Sequence, residues 1–283
     1  MLSKDKLGYL FIIVAMLIWG SIGLFVRWLP YPSELIVFYR VFFAFLFLLL
    51  MSVYKNDMQI SLEKNNKYLL IVSGIVLSLN WVFFFQAIKN TSVASATLSY
   101  YTSPALLVLL SILFLKERLT GRGVISLALG FLGIFIMILI PNKNITLEGI
   151  TGIGYGLIAA FCYALFTLLS KKIDGISVRH LTLVQTGISM LILFPFAWQG
   201  ELPKLSSLFL LAIIGIIHTA LALILYLKGL RLSKVQRDVG ILSYLDPLSA
   251  ILFARVFLGE IPTISTFIGG VLILISSYLV IGE

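Results

Sequence analysis

Charge is scarce in this sequence, and cysteine and histidine are scarcer. Only 12% of the 283 residues are charged while 60% are hydrophobic, against about 25% charged in an ordinary soluble domain. So few ions cannot keep a sizeable water-facing surface solvated, and no polar stretch is long enough to form a soluble domain. The single cysteine, Cys162, excludes an intrachain disulfide and any cysteine-rich metal centre. There are two histidines, His180 and His218, and neither has a nucleophile or base clustered about it. That excludes the usual machinery of a membrane enzyme acting on lipid. A phosphate-cradling glycine-rich loop ending in Lys and Ser or Thr is also missing, so drive by nucleotide hydrolysis is not expected. No cofactor and no metal are expected.

What the chain has in quantity is apolar runs, with a mean hydropathy of +1.08. Runs of spanning length lie at about 7–26, 34–54, 67–88, 93–115, 120–140, 150–170, 179–198, 206–227, 236–257 and 262–281. A hydrocarbon layer of about 30 Å takes about 20 residues of helix to cross, and each run is near that length. The expectation is an all-α, multi-pass protein of ten transmembrane helices. The first run follows Lys4 and Lys6 in the manner of a signal peptide, but its length and the nine runs behind it predict a retained helix. The net charge of +9 could suggest nucleic acid, yet the basic residues sit in short loops rather than on one face. With the N-terminus placed in the cytoplasm, fifteen of the 21 Lys and Arg residues fall on the inner side and five on the outer side, with Arg40 inside the second span. That asymmetry predicts both termini on the cytoplasmic face of the plasma membrane.

The chain repeats itself. An offset of 143 residues brings Tyr101 onto Tyr244, Pro104 onto Pro247, Glu117 onto Glu260 and Thr120 onto Thr263. An offset of 144 brings Gly8 onto Gly152, Ala15 onto Ala159, Trp19 onto Tyr163 and Arg27 onto Lys171. The repeats are residues 1–143 and 144–283. Each holds five spans, an odd number, so the second repeat enters the bilayer upside down relative to the first. Inverted repeats let one central site face either side of the membrane in turn, which points to a transporter.

The segment from Ala94 through Pro104 to Leu115-Lys116-Glu117-Arg118-Leu119-Thr120, with its echo Pro247 to Leu258-Gly259-Glu260-Ile261-Pro262-Thr263, resembles the EamA-like branch of the drug/metabolite transporter superfamily. The resemblance runs over nearly the whole chain. It implies a central cavity lined by spans 1 to 4 and 6 to 9, with spans 5 and 10 at the periphery. It leaves the substrate open, since such proteins carry amino acids, other metabolites or drugs.

Several side chains are candidates for the work. Ser103-Pro104 and Asp246-Pro247 fall near mid-bilayer, where proline frees carbonyls that hydrocarbon cannot satisfy. Either the two helices restart there and offer N-termini to an anion, or Pro104 and Pro247 are kinks that act as hinges. Asp246 is costly at that depth and has three readings: it binds a cation, carries a proton or caps its own helix. His218 either relays protons or packs. Arg40 either pairs with a carboxylate or snorkels to the interface. Glu117 and Glu260, close to Lys116, Arg118 and Arg255, read as structural or gating residues. Trp19, Asn80, Trp81, Tyr100, Tyr101, Tyr163, Gln185 and Tyr244 lie at mid-depth and suit a lining for amphipathic ligands. Trp28 and Trp198 read as interfacial anchors. Gly130, Gly133, Gly269 and Gly270 predict close helix contact, within the chain or in a homodimer.

Together these features predict a secondary transporter. It would move small amphipathic metabolites such as amino acids by alternating access, exporting them, with protons as a candidate coupling ion and the lipid bilayer as its solvent. The alternative is an importer or exchanger of another metabolite or drug. An exchanger of phosphorylated metabolites would need several buried basic residues, and Arg40 alone lies well inside a span. A channel or lipid scramblase would show far faster flux.

Overall fold

The computed structural model describes residues 4–55, 64–115, 121–139, 146–173, 175–200, 202–232, 242–243 and 245–280, and the regular elements among them are all helical. Six stretches are long and apolar enough to cross a membrane: Lys6–Trp28, Ser33–Tyr54, Lys67–Asn90, Leu147–Ser170, Arg179–Trp198 and Leu205–Tyr226. Shorter apolar helices cover Gly121–Met137 and Ile264–Leu279. Large apolar side chains such as Leu50, Phe131, Leu191, Phe209 and Phe267 are left exposed, as they must be where the surrounding medium is lipid.

Helix α1 (Lys4–Gly20) runs into α2 (Ile22–Trp28) through a joint at Ser21. The Ser21 hydroxyl donates back to the Ile18 carbonyl at 2.8 Å, the back-bonding that bends helices. Helices α3 (Ser33–Tyr54) and α4 (Lys64–Asn90) are uninterrupted. Helix α5 (Val93–Tyr100), capped by Ser92, meets α6 (Ser103–Leu115) at a turn of Tyr101 and Thr102. Then come α7 (Gly121–Leu139), α8 (Leu147–Lys171, capped by Thr146) and α9 (Val178–Gln199, capped by Ser177). Next, α10 (Leu205–Ile213) passes through a π-helical segment, Ile214–Leu221, into α11 (Ala222–Leu232). Helices α12 (Leu245–Leu258) and α13 (Ile264–Val280) close the described chain.

The turn before Pro104 is a kink whose loosened carbonyls are answered from within the protein. The Thr102 hydroxyl donates to the Ser99 carbonyl at 2.7 Å, and Ser277 of α13 donates to the Tyr101 carbonyl at 2.9 Å. Pro247 sits in the first turn of α12, where its missing donor costs nothing.

Helices from the first half pair with helices of the second half that run the opposite way. In α7 and α13, Ser126 and Ser276 each donate to the other's carbonyl, at 2.9 and 2.7 Å, and seven residues away Gly133 and Gly269 touch backbone to backbone. A Cβ on Gly133 would lie 2.6 Å from the Gly269 carbonyl oxygen, so only glycine allows this approach. These glycines therefore pack one half of the chain against the other. The same antiparallel sense holds for α3 with α9, through Phe38–Phe194 and Phe45–Gly187. It also holds for α4 with α8, through Asn80–Ala159 and Asn90–Gly152, and for α1 with the π-helical segment and α11, through Trp19–His218 and Gly8–Gly229.

Candidate functional site

The residues expected to line a cavity are largely brought together, and they can be followed around a closed circuit. Arg40 of α3 is buried, and its Nε donates to the Thr219 hydroxyl of the π-helical segment at 2.8 Å. The guanidinium lies 4.4 Å from the Trp81 ring centroid and 5.3 Å from that of Phe85, both on α4. Beside Thr219, His218 Nε2 lies 2.9 Å from the Ser21 hydroxyl at the α1–α2 joint. Next to Ser21, Gly20 presses on the start of α12: a Cβ there would sit 2.8 Å from the Asp246 carbonyl oxygen and closer still to the Ser249 hydroxyl. The Asp246 carboxylate accepts from the Tyr101 hydroxyl at 3.0 Å. The Tyr101 and Tyr100 rings meet edge to face, 6.4 Å apart, and Tyr100 lies 5.5 Å from Tyr163 and 4.6 Å from Phe84. Asn80 Nδ2 reaches the Tyr100 oxygen at 3.4 Å, and its neighbour Trp81 returns the circuit to Arg40. Trp19 joins from α1, donating to the His218 carbonyl at 2.7 Å with its ring 5.4 Å from Tyr226.

The local sequence explains the convergence. Gly215 lets the π-helical segment lie directly on α3, since a Cβ there would be 2.6 Å from the Arg40 carbonyl oxygen. The wider π turn shifts the register of the helix and sets Thr219, which also donates to the Ile214 carbonyl at 3.1 Å, against Arg40. Among the described residues no carboxylate pairs with Arg40, and no cation pairs with Asp246.

Other candidates fall elsewhere. Gln185 is 2% exposed and donates to Ser73 at 2.9 Å and to Ser170 at 3.3 Å. It is interhelical glue between α4, α8 and α9 rather than lining. His218, a member of the circuit, is held by Ser21 and the Ile213 carbonyl, with Phe25 edge-on at 4.7 Å. Glu260 does not pair with Arg255, which is exposed. It takes Arg27 of α2 at 3.3 Å with one oxygen and accepts from the Val93 amide at 2.7 Å with the other. Gly259, at φ 68, turns the chain after α12 so that the Glu260 amide donates back to the Ala254 carbonyl, and this aims the side chain at α2 and α5. Arg27 also donates to the Thr91 carbonyl. Tyr244 and Glu117 lie outside the described residues, as do Lys116 and Arg118. Trp28 and Trp198 are exposed at helix ends, as interfacial anchors should be. A pocket of about 330 Å³, lined by Tyr31, Glu34, Leu35, Phe196 and Gly200, opens where α2 passes into α3, apart from the circuit.

The model of the EamA-like transporter family matches residues 6–139 and again residues 150–282. The chain belongs to the EamA-like transporter family. It is 34% identical over 280 residues to the transporter YxxF of Bacillus subtilis, covering 96% of this chain and 88% of that protein. An Archaeoglobus fulgidus transporter is 30% identical over 95% of this chain and 94% of its own length. RarD of Salmonella typhimurium is 29% identical, covering 92% and 89% respectively. One crystal structure superposes with a TM-score of 0.63 at 20% identity, covering 96% of this chain and 95% of the other, a likeness of fold. As an EamA-like protein the chain is a multi-pass membrane transporter rather than an enzyme.

Sequence reasoning missed Thr219, Ser21, Phe85 and Arg27. The Thr219 signal was legible in part, as a His-Thr pair in an otherwise apolar run. Arg27 could have been found from its alignment with Lys171, which places basic residues at equivalent ends of the two halves.

Proposed function

We propose that this EamA-like protein is a secondary transporter that moves small amphipathic metabolites, amino acids or similar, across the plasma membrane by alternating access. Export is the physiological direction. Ten crossings form two inverted repeats, residues 1–143 and 144–283, with both termini cytoplasmic. The two successive matches of the family model and the antiparallel pairing of first-half with second-half helices support that architecture. The observation that carries the functional reading is the circuit joining both halves. It sets the aromatic faces of Trp19, Trp81, Tyr100 and Tyr101 with the polar groups of Arg40, Asn80, Thr219 and Asp246. Aromatic faces accept the apolar part of such a solute, while the few polar groups fix its orientation.

Purified protein in liposomes is expected to move a neutral amino acid down its gradient, and faster when an imposed pH difference of the favourable sign is present. Transport without that acceleration removes the proton from the mechanism. No movement of any amino acid, beside a working control transporter, removes the substrate class.

A further inference from the structure

Two opposite charges stand in one circuit of side chains, and neither is neutralised by the other or by another ion among the described residues. Arg40 is 5% exposed and spends its Nε on Thr219 Oγ1, and Trp81 and Phe85 flank the guanidinium with ring faces. A hydroxyl and two rings stabilise a cation without cancelling it, and a guanidinium presents further donors in a fork that fits a carboxylate. Asp246 is half-buried, with one carboxylate oxygen on the Tyr101 hydroxyl. A phenol likewise donates to the carboxyl group without supplying a counter-ion. In the same circuit, against Tyr100 and next in sequence to Trp81, lies Asn80, 1% exposed. Its Nδ2 is fixed by the Ala159 carbonyl at 2.7 Å, and its Oδ1 has no hydrogen-bond partner. A buried acceptor left open in this way costs stability unless something donates to it.

We infer that the circuit is a dipolar cage: Arg40, positioned by Thr219, takes the carboxylate of a zwitterionic ligand, and Asp246, positioned by Tyr101, takes its ammonium, with Asn80 Oδ1 as a further acceptor. This assignment rests on the transport reading above and adds to it the orientation of the solute and the residue at each end. The membrane supplies the reason for such an arrangement. Either charge alone is expensive in a span. A ligand that brings one charge of each sign neutralises both poles at once, whereas an amine or an acid leaves one pole uncompensated.

The test uses the full chain in detergent and in liposomes, with two series of probes: L-phenylalanine, phenethylamine and N-acetyl-phenylalanine, and L-leucine, isopentylamine and N-acetyl-leucine. Wild-type protein is expected to bind at least one of the two amino acids roughly ten-fold or more tightly than both of its analogues, as charge-assisted contacts of this kind allow. Arg40→Gln is expected to abolish the preference over the amine and keep the preference over the N-acetyl acid. Asp246→Asn is expected to do the reverse. Arg40→Lys is expected to restore part of the preference over the amine, which separates recognition from a folding defect. If each variant weakens all three probes of a series equally, or if wild-type protein transports an amino acid without preferring it to its analogues, the cage assignment falls while the transport reading stands. If wild-type protein neither binds nor moves any probe, both fall.

Discussion

Arg27 with Glu260 and Arg40 with Asp246 are two ways of placing opposite charges in a chain that has few of them. The first two stand at helix ends and are spent on each other: an ion pair at 3.3 Å, with the second carboxylate oxygen closing on the Val93 amide. The clasp ties α2, the start of α5 and the end of α12. The other two stand deep in the helices and are spent on neutral groups, a hydroxyl with two aromatic faces for Arg40 and a phenol for Asp246. Charges at a rim retain water and gain little from pairing beyond geometry. Arg40, 5% exposed, has no water to retain, so leaving it without a counter-ion costs stability that the fold would recover by pairing it or omitting it. On the transport reading proposed above, the difference separates what holds the protein from what it works with.

The largest expected effect is on transport by Arg40→Gln: a fall of about a hundred-fold in proteoliposome flux, with the thermal midpoint unchanged or raised, because a buried uncompensated cation is removed. A collapse of the midpoint together with flux would make Arg40 a structural residue like Arg27. Next comes Glu260→Ala, which strands the Arg27 guanidinium and the Val93 amide. It is expected to cost about 1–3 kcal/mol of stability, read by thermal unfolding in detergent, with Glu260→Gln costing less because an acceptor for Val93 survives. Raising the salt concentration is expected to shrink the difference between Glu260→Gln and wild type while leaving the Arg40→Gln defect in place, since the partly exposed pair is screened and the buried Arg40 much less so. Thr219→Val is expected to cost about 1 kcal/mol and to weaken carboxylate-bearing ligands specifically, with Thr219→Ser close to wild type. The smallest effect is expected of Trp81→Phe, about 0.5 kcal/mol in ligand affinity, because a weaker ring face remains under Arg40.

How much of this was legible in the sequence follows from the range over which each feature is encoded. Spans are written locally, as apolar runs ended by charge, so their positions agree with the described helices to within a few residues for runs such as 34–54 and Ser33–Tyr54. The kink before Pro104 is likewise local. The joint at Ser21 was not legible, because a serine in a helix bends it only when its hydroxyl turns back to the chain, and the residue type does not say that it will. Partners across the bundle were hardest. Glu260 was expected to pair with cations near in sequence, yet its side chain is aimed by the turn at Gly259 toward Arg27, more than 200 residues away. Gln185 sits at the depth of the lining residues, but depth along a helix does not give the face, and its face meets Ser73 and Ser170. Tyr100, Tyr101, Trp81 and Asp246, expected together from the sequence, lie in one circuit of contacts, because aromatic and charged residues inside the apolar runs are few and have few places to go.

To the rest of its helix, the π-helical segment Ile214–Leu221 is one residue too many. Each residue of an α-helix turns the chain by about 100°. Deleting a single residue within the segment would therefore let the helix relax to ordinary winding, with α11 swung round relative to α10. Thr219 would then leave Arg40, and a different side chain would come to lie under the guanidinium. Indels are usually tolerated in loops and punished in helices, but here the surplus residue makes the helix itself a place where a change of length can alter what the site sees. Relatives that differ from this chain by one residue in that stretch are where a change of cargo should first be sought.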